Sequence, residues 1–126
     1  DFVIACFHLS KKMTRQDEPD SWQFAAHVDD IPMNGLFESV LQEQVVVLSH
    51  TDAGICAFQG LCPHQMARLS SGRISEGWLH CPQHMAKFQL TDGACGPGWV
   101  LPPLRRFKTK IIGDQVMVPN PLLPLT

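Results

Sequence analysis

Short apolar or alternating runs, separated by turn residues, extend along most of the chain. We place candidate strands at 22–28, 36–41, 44–49, 55–59, 78–80, 87–90, 107–112 and 115–118. No apolar repeat with a helical period is long enough to predict a substantial helix. Turn signals such as Thr91-Asp92-Gly93 and Gly113-Asp114 bound these runs. Strands at this close spacing predict an all-β protein, either an antiparallel sandwich or a small barrel.

Two segments, at 60–71 and 81–87, break the strand pattern, and both combine cysteine with histidine. The first contains Cys62-Pro63-His64 and the second contains Cys81-Pro82-Gln83-His84. A proline after each cysteine restricts the backbone and removes an amide donor, which stiffens the loop. Each loop therefore offers one thiolate and one imidazole at close spacing. Two such loops can close around one metal site from opposite sides.

Composition narrows the classes of protein that fit. The chain has 126 residues, 44% of them apolar and 17% charged, with a net charge of -2, which fits one folded domain. No stretch reaches the ~20 apolar residues that a transmembrane helix needs, and no basic surplus indicates nucleic acid. We expect a cytoplasmic protein with no membrane or nucleic-acid partner. A chain this short must take its chemistry from a metal or from a partner protein.

The mixed pairing of ligand types bears on which metal fits. Two cysteines and two histidines can form a tetrahedral zinc site, but structural zinc sites usually group like ligands, as in C-x₂₋₄-C with H-x₃₋₅-H. Here each loop supplies one cysteine and one histidine. That arrangement suits a two-iron cluster in which both cysteines bind one iron and both histidines bind the other.

The segments Cys62-Pro63-His64-Gln65 and Cys81-Pro82-Gln83-His84 resemble the two cluster loops of Rieske proteins, as do 69–72 and the loop at 96–97. The resemblance implies a Rieske-like antiparallel β-sandwich with a small cluster-binding subdomain of two loops. It implies one [2Fe–2S] cluster, of Rieske type. The ligands it implies are Cys62, His64, Cys81 and His84. The loop Gly96-Pro97 resembles the proline loop that shields the cluster in this family. We also assign Gln65, Met66, Met85 and Trp99 to a shielding or docking rim, with simple packing over the cluster loops as the alternative.

The chain divides into a short N-terminal segment and one domain. Residues 1–12 hold a short apolar run followed by Lys11 and Lys12, whereas a signal peptide carries its positive charge before the apolar run. We expect residues 1–12 to be a leader or a disordered extension. Residues 13–126 then form the Rieske [2Fe–2S] domain, whose cluster-binding part spans about 60–100.

Departures from the high-potential members of the family indicate a low potential. Those members carry an extra disulfide between the loops, and its positions here hold Ala67 and Gln83. They also place a serine and a tyrosine after the second histidine, where this chain has Met85-Ala86 and contains no tyrosine at all. Hydrogen bonds to sulfur stabilise the more negative reduced cluster, so their absence predicts a potential near the lower end of the roughly −150 to +300 mV Rieske range.

The resemblance implies a monomeric one-electron carrier, a Rieske ferredoxin, rather than an enzyme. Its expected partners are a flavin-dependent NAD(P)H reductase and the terminal oxygenase or hydroxylase of an aromatic or alkene hydroxylation system. No histidine follows His84, so the chain lacks the 2-His-1-carboxylate triad that an oxygenase would add. The Cys-Pro-His-Gln loop is similar to the ferredoxins of toluene-type monooxygenase systems. The alternatives are the Rieske-like small subunit of a nitrite reductase and a zinc-stabilised interaction module.

Overall fold

The computed structural model describes residues 2–4, 21–63, 66–82, 86–98 and 100–122. Within these ranges the chain forms eleven strands and two short 3₁₀ turns, at Val28–Asp30 and Leu69–Ser71. The strands are β1 (Phe2–Ile4), β2 (Trp22–His27), β3 (Gly35–Leu41), β4 (Gln44–Thr51), β5 (Gly54–Gln59), β6 (Arg73–Ser75), β7 (Trp78–His80), β8 (Lys87–Gln89), β9 (Arg106–Phe107), β10 (Thr109–Ile112) and β11 (Gln115–Pro119).

The strands form three antiparallel sheets, which confirms the predicted all-β antiparallel class. The first sheet has the order β1-β10-β11-β2, the middle sheet β3-β4-β5-β9 and the third sheet β6-β7-β8. The predicted strand at 107–112 is two strands, because the chain leaves the middle sheet and enters the first sheet at the buried Lys108. Strands β1 and β6, each three residues long, were not predicted.

The middle sheet is buried on both faces. Along β4, Val46 and Leu48 belong to one core and Val47 belongs to the other. Along β5, Ala57 belongs to the same core as Val46 and Leu48, and Phe58 belongs to the core that contains Val47. Side chains of a strand alternate between its two faces, so a strand between two cores carries apolar side chains on both faces. This explains why the run at 45–48 reads as continuously apolar.

The two cores lie on opposite sides of the middle sheet. The inter-sheet core consists of Ala25, Ala26, Ile31, Val46, Leu48, Ile55, Ala57, Phe107, Val116, Val118 and Leu122. The loop-side core consists of Val47, Cys56, Phe58, Cys62, Leu69, Leu79, Cys81, Ala86, Phe88, Leu90 and Leu104. The second of these contains both predicted cysteine ligands.

The third sheet covers the loop-side core with one face. Ile74, Leu79 and Phe88 pair across its three strands, and Leu79 and Phe88 are fully buried. Its other face carries polar side chains. The third sheet therefore forms a small layer between the loop-side core and solvent.

The N-terminal segment is described only at β1, which pairs with β10 through Phe2 and Ile111. The other residues of the expected leader lie outside the described residues, so its assignment stays a prediction. In the part of the chain that the structure describes, no helix is long and apolar enough to cross a membrane.

Replacing Phe88 by alanine tests the loop-side core. Because Phe88 is fully buried, we expect Phe88→Ala to lower the free energy of unfolding by about 3–5 kcal/mol. Phe24→Ala is the matched control, since Phe24 is 44% exposed, and it should cost less than about 1 kcal/mol. Urea denaturation measures both values. Similar losses in the two variants would contradict the placement of this core.

Candidate metal centre

The two predicted ligand loops close in the same way. The Cys62 amide donates a hydrogen bond to the Ala67 carbonyl at 2.8 Å, and the Cys81 amide donates one to the Ala86 carbonyl at 2.8 Å. Each bond closes a six-residue loop that begins Cys-Pro and ends Met-Ala. Equal spacing and equal closure give the two cysteines equivalent positions, each at the start of its loop.

Both cysteines lie in the dry interior. Cys62 is 1% exposed and Cys81 is 6% exposed, and neither is disulfide-bonded. A buried thiolate is costly unless a cation compensates its charge, so two thiols in one core fit a metal-bound pair. Cys56 is also buried, but it is disulfide-bonded and is not a candidate ligand.

The structure tests only part of the predicted ligand set. His64, Gln65, 83–85 and Trp99 lie outside the described residues. Among the residues that are described, no three histidine, cysteine or carboxylate side chains gather into a group that could hold a metal ion. The assignment of His64 and His84 as ligands therefore stays a prediction.

The described part of the predicted rim is exposed. Met66, at the end of the first loop, is 65% exposed and adopts a φ of 58°. Pro97 is exposed as well, whereas Gly96 is buried. Val100, which the sequence did not single out, is fully exposed. These two loops thus present the apolar side chains of Met66, Pro97 and Val100 to solvent.

Glu38 on β3 anchors the exit of the first loop. Its carboxylate accepts hydrogen bonds from the Arg68 guanidinium and, at 3.0 Å, from the Ser70 hydroxyl. Between these two residues, Leu69 is fully buried and its amide donates to the Gly60 carbonyl at 2.9 Å. Sequence reasoning missed Glu38, because nothing in its local pattern distinguishes it from an ordinary polar strand residue.

A close backbone approach joins the two loops. A Cβ atom on Gly72 would lie 1.8 Å from the His80 carbonyl oxygen, so only glycine fits there. Gly72 follows the first loop, and His80 immediately precedes Cys81. This contact sets the exit of one ligand loop against the entrance of the other.

The loop at 96–97 packs on the third sheet. The Gly96 amide donates to the Lys87 carbonyl at 2.8 Å, and a Cβ atom on Gly96 would lie 3.0 Å from the Trp78 ring. Cys95 forms an isolated antiparallel β-bridge with Phe88 through its backbone, and it packs against the loop-side core. The loop is therefore held beside the strand β8 that leaves the second ligand loop.

His80 lies between two cations on the third sheet. Burial, followed by the positive charges of Arg73 and Lys87, lowers the pKa of His80 below its usual value of 6.5. The Ser75 backbone and the Glu76 carboxylate act in the opposite direction. At neutral pH the imidazole of His80 is therefore uncharged.

Comparison with known proteins decides the family. Residues 21–118 match the family model of the Rieske [2Fe-2S] domain. The chain belongs to the Rieske [2Fe–2S] domain family. This membership confirms the predicted family and, with it, the cofactor class: a Rieske [2Fe–2S] cluster. The buried thiol pair is the chain's described contribution to such a site.

Individual relatives and structures agree with this membership. The ferredoxin component of the naphthalene 1,2-dioxygenase system of Pseudomonas aeruginosa is 27% identical over 79% of this chain and 95% of its own length. A chain in the complex of reduced oxygenase and oxidised ferredoxin in carbazole 1,9a-dioxygenase superposes with a TM-score of 0.70, at 19% identity over 78% of this Rieske chain and 92% of that one. A putative NADPH nitrite reductase small subunit superposes with a TM-score of 0.69, at 19% identity over 78% and 97%.

Substituting Gly72 tests whether the contact between the loops shapes the metal centre. We expect Gly72→Ala to displace the backbone at His80 and to lower the iron content of the purified protein by more than half, because the clash involves backbone atoms. Gly77→Ala is the control: Gly77 has a positive φ of 82° but nothing within 4 Å of the added Cβ, so the substitution should cost about 1–2 kcal/mol of stability and leave the iron content unchanged. Equal iron contents in the two variants would contradict this role of Gly72.

Proposed function

We propose that this Rieske protein is a soluble, cytoplasmic one-electron carrier that passes electrons from a flavin-dependent NAD(P)H reductase to an oxygenase component. The observation that carries the proposal is the pair of equivalent loops, each of which places one buried cysteine in the loop-side core. When bound, a [2Fe–2S] cluster supplies reversible one-electron transfer. Cys62 and Cys81 would hold one iron, and His64 and His84 would hold the other.

The chain's own residues set the conditions for this transfer. The loop-side core surrounds both thiols with apolar side chains, which excludes water from the sulfur side of the site. The position after the second loop's Met85 is Ala86, which has no hydroxyl to donate to sulfur. A chain with neither a serine at this position nor any tyrosine is expected to have a potential at the low end of the family's range, as suits a carrier that feeds an oxygenase.

The role of a carrier agrees with the size and the relatives of the chain. The chain covers 95% of the length of a protein named as a ferredoxin component, so the two proteins share almost the whole of that component's domain. One of the structures that superpose on this chain is a complex of an oxygenase with its ferredoxin. These findings support an oxygenase partner, and they support an electron carrier rather than a catalytic enzyme.

The relatives also bear on the type of oxygenase that this carrier serves. The naphthalene and anthranilate systems named among the relatives are dioxygenases, at 27% and 26% identity. The similarity of the Cys-Pro-His-Gln loop to toluene-type ferredoxins remains a separate prediction. The nitrite reductase alternative shares the fold, and at 19% identity the fold alone does not favour it. A monomer that elutes without a large subunit would support the carrier, since a shuttle needs weak, transient contacts.

Ligand variants test the proposed centre. We expect Cys62→Ser, Cys81→Ser, His64→Ala and His84→Ala each to abolish the visible absorption and the EPR signal that the dithionite-reduced protein gives. The reason is that loss of one ligand leaves an iron without its donor set and removes the folding energy of cluster binding. Cys95→Ser is the control and should retain the spectrum, because Cys95 packs beside the core without a predicted ligand role.

Iron and acid-labile sulfide assays accompany the spectra. The proposal expects equal amounts of iron and sulfide in the wild-type protein. A colourless protein that contains stoichiometric zinc and no labile sulfide would instead support the zinc-stabilised module. An unchanged spectrum in Cys62→Ser or Cys81→Ser would contradict the ligand assignment.

A further inference from the structure

The outward face of the third sheet carries two cations at one end, on either side of a histidine. Arg73 on β6, His80 on β7 and Lys87 on β8 pair directly across the three strands. Directly paired residues of antiparallel strands have side chains on the same face, about 4.5–5.5 Å apart at Cβ. Because Ile74, Leu79 and Phe88 occupy the buried face, this row faces outward. We refer to Arg73 and Lys87, on either side of His80, as the cationic row.

The cationic row lies at the metal-centre end of the sheet. β7 ends at His80, which leads directly into Cys81, and β8 begins at Lys87, directly after Ala86 closes the second loop. The acidic residues lie at the opposite end: Glu76 is in the turn between β6 and β7, and Asp92 is in the turn that follows β8. The third sheet is therefore polarised, with its positive end beside the ligand loop.

Lys87 is held in place by its neighbours. Its ammonium lies 4.5 Å from the centroid of the Trp78 ring, and its side chain packs where Gly96 leaves no Cβ. A cation fixed over an aromatic ring loses less conformational freedom on binding than a mobile lysine does. Neither Arg73 nor Lys87 forms a salt bridge within the described residues, whereas Arg68 is paired with Glu38.

We propose that the cationic row and Trp78 form the docking surface for a carboxylate-bearing surface of the oxygenase component. This proposal rests on the proposed function. The chain as a whole has a net charge of -2, so its general field repels an acidic partner. The positive end of the third sheet, beside the ligand loop, instead attracts an acidic partner at the place where it must bind. Complementary charge of this kind sets the orientation and the rate of encounter.

Two loops that flank the cationic row in the sequence carry exposed apolar side chains. Met66 lies within the first ligand loop, and Val100 follows the 96–97 loop. Protein interfaces commonly combine an apolar centre with a charged rim. The cationic row supplies such a rim, and its charge selects an acidic partner over a basic one.

Charge reversal in the cationic row tests the proposal by binding. The probe is the immobilised oxygenase component of a naphthalene 1,2-dioxygenase, and the ligand is the iron-loaded full chain measured by biolayer interferometry. At low salt we expect Arg73→Glu and Lys87→Glu each to weaken binding about tenfold. At about 0.15 M salt, where the Debye length is about 8 Å, the difference from wild type should shrink. Lys87→Arg, which keeps the charge, should restore the affinity.

Lys110→Glu is the matched control. Lys110 lies 5.5 Å from the centroid of the Trp22 ring on the first sheet, so it makes the same kind of contact away from the ligand loops. We expect its affinity to stay within about twofold of wild type. Equal losses in Lys87→Glu and Lys110→Glu, or no binding by the wild type at low salt, would overturn the docking surface.

A dithionite titration of the same samples separates the two proposals. If the wild-type protein takes up one electron but does not bind the oxygenase component, the docking surface is contradicted and the carrier proposal stands. If the wild-type protein takes up no electron, both proposals are contradicted.

Discussion

The metal centre depends on a middle sheet that is apolar on both faces. One face closes the sandwich against the first sheet, and the other face supports the loop-side core in which both cysteines lie. Burying apolar surface on both sides stabilises the sheet by about 25 cal/mol for each Å² removed from water. The sheet is therefore a stable base on which the contacts of the ligand loops are built.

Local contacts convert this platform into a site. The amides of Cys62 and Cys81 close their loops with the same hydrogen bond, so the two thiols begin from equivalent backbone positions. Glu38 connects the first loop to the middle sheet, and the missing side chain of Gly72 leaves room for the backbone at His80, which leads into the second loop. The loop-closing hydrogen bonds and the Gly72 contact are short-range in sequence, whereas the Glu38 contacts join segments thirty or more residues apart.

The outer face of the third sheet has a different role from its inner face. The inner face is fully apolar and packs on the core that holds the cysteines, while the outer face separates positive from negative charge along its length. One short sheet therefore both covers the core that contains the proposed cysteine ligands and presents a charged surface beside it. This proximity is what a carrier needs, because a partner must come close to the cluster and then leave.

The sequence predicts the parts of this structure that depend on local apolar runs and short motifs. Apolar runs predict strands β4, β5 and β11, and the paired loop motifs identify the two cysteines as candidate ligands. The division of 107–112 into β9 and β10 was not predictable, because a change of sheet at Lys108 leaves the strand pattern intact. The support from Glu38 was missed for a related reason, since its partners Arg68 and Ser70 are thirty or more residues away.

Mössbauer spectroscopy of the iron-loaded protein tests the central claim most directly. If two cysteines bind one iron and two histidines bind the other, the oxidised protein contains two inequivalent iron sites in equal amounts. One-electron reduction should then change the site bound by histidine and leave the other ferric. Two equivalent iron sites, or an electron shared equally between them, would contradict the account.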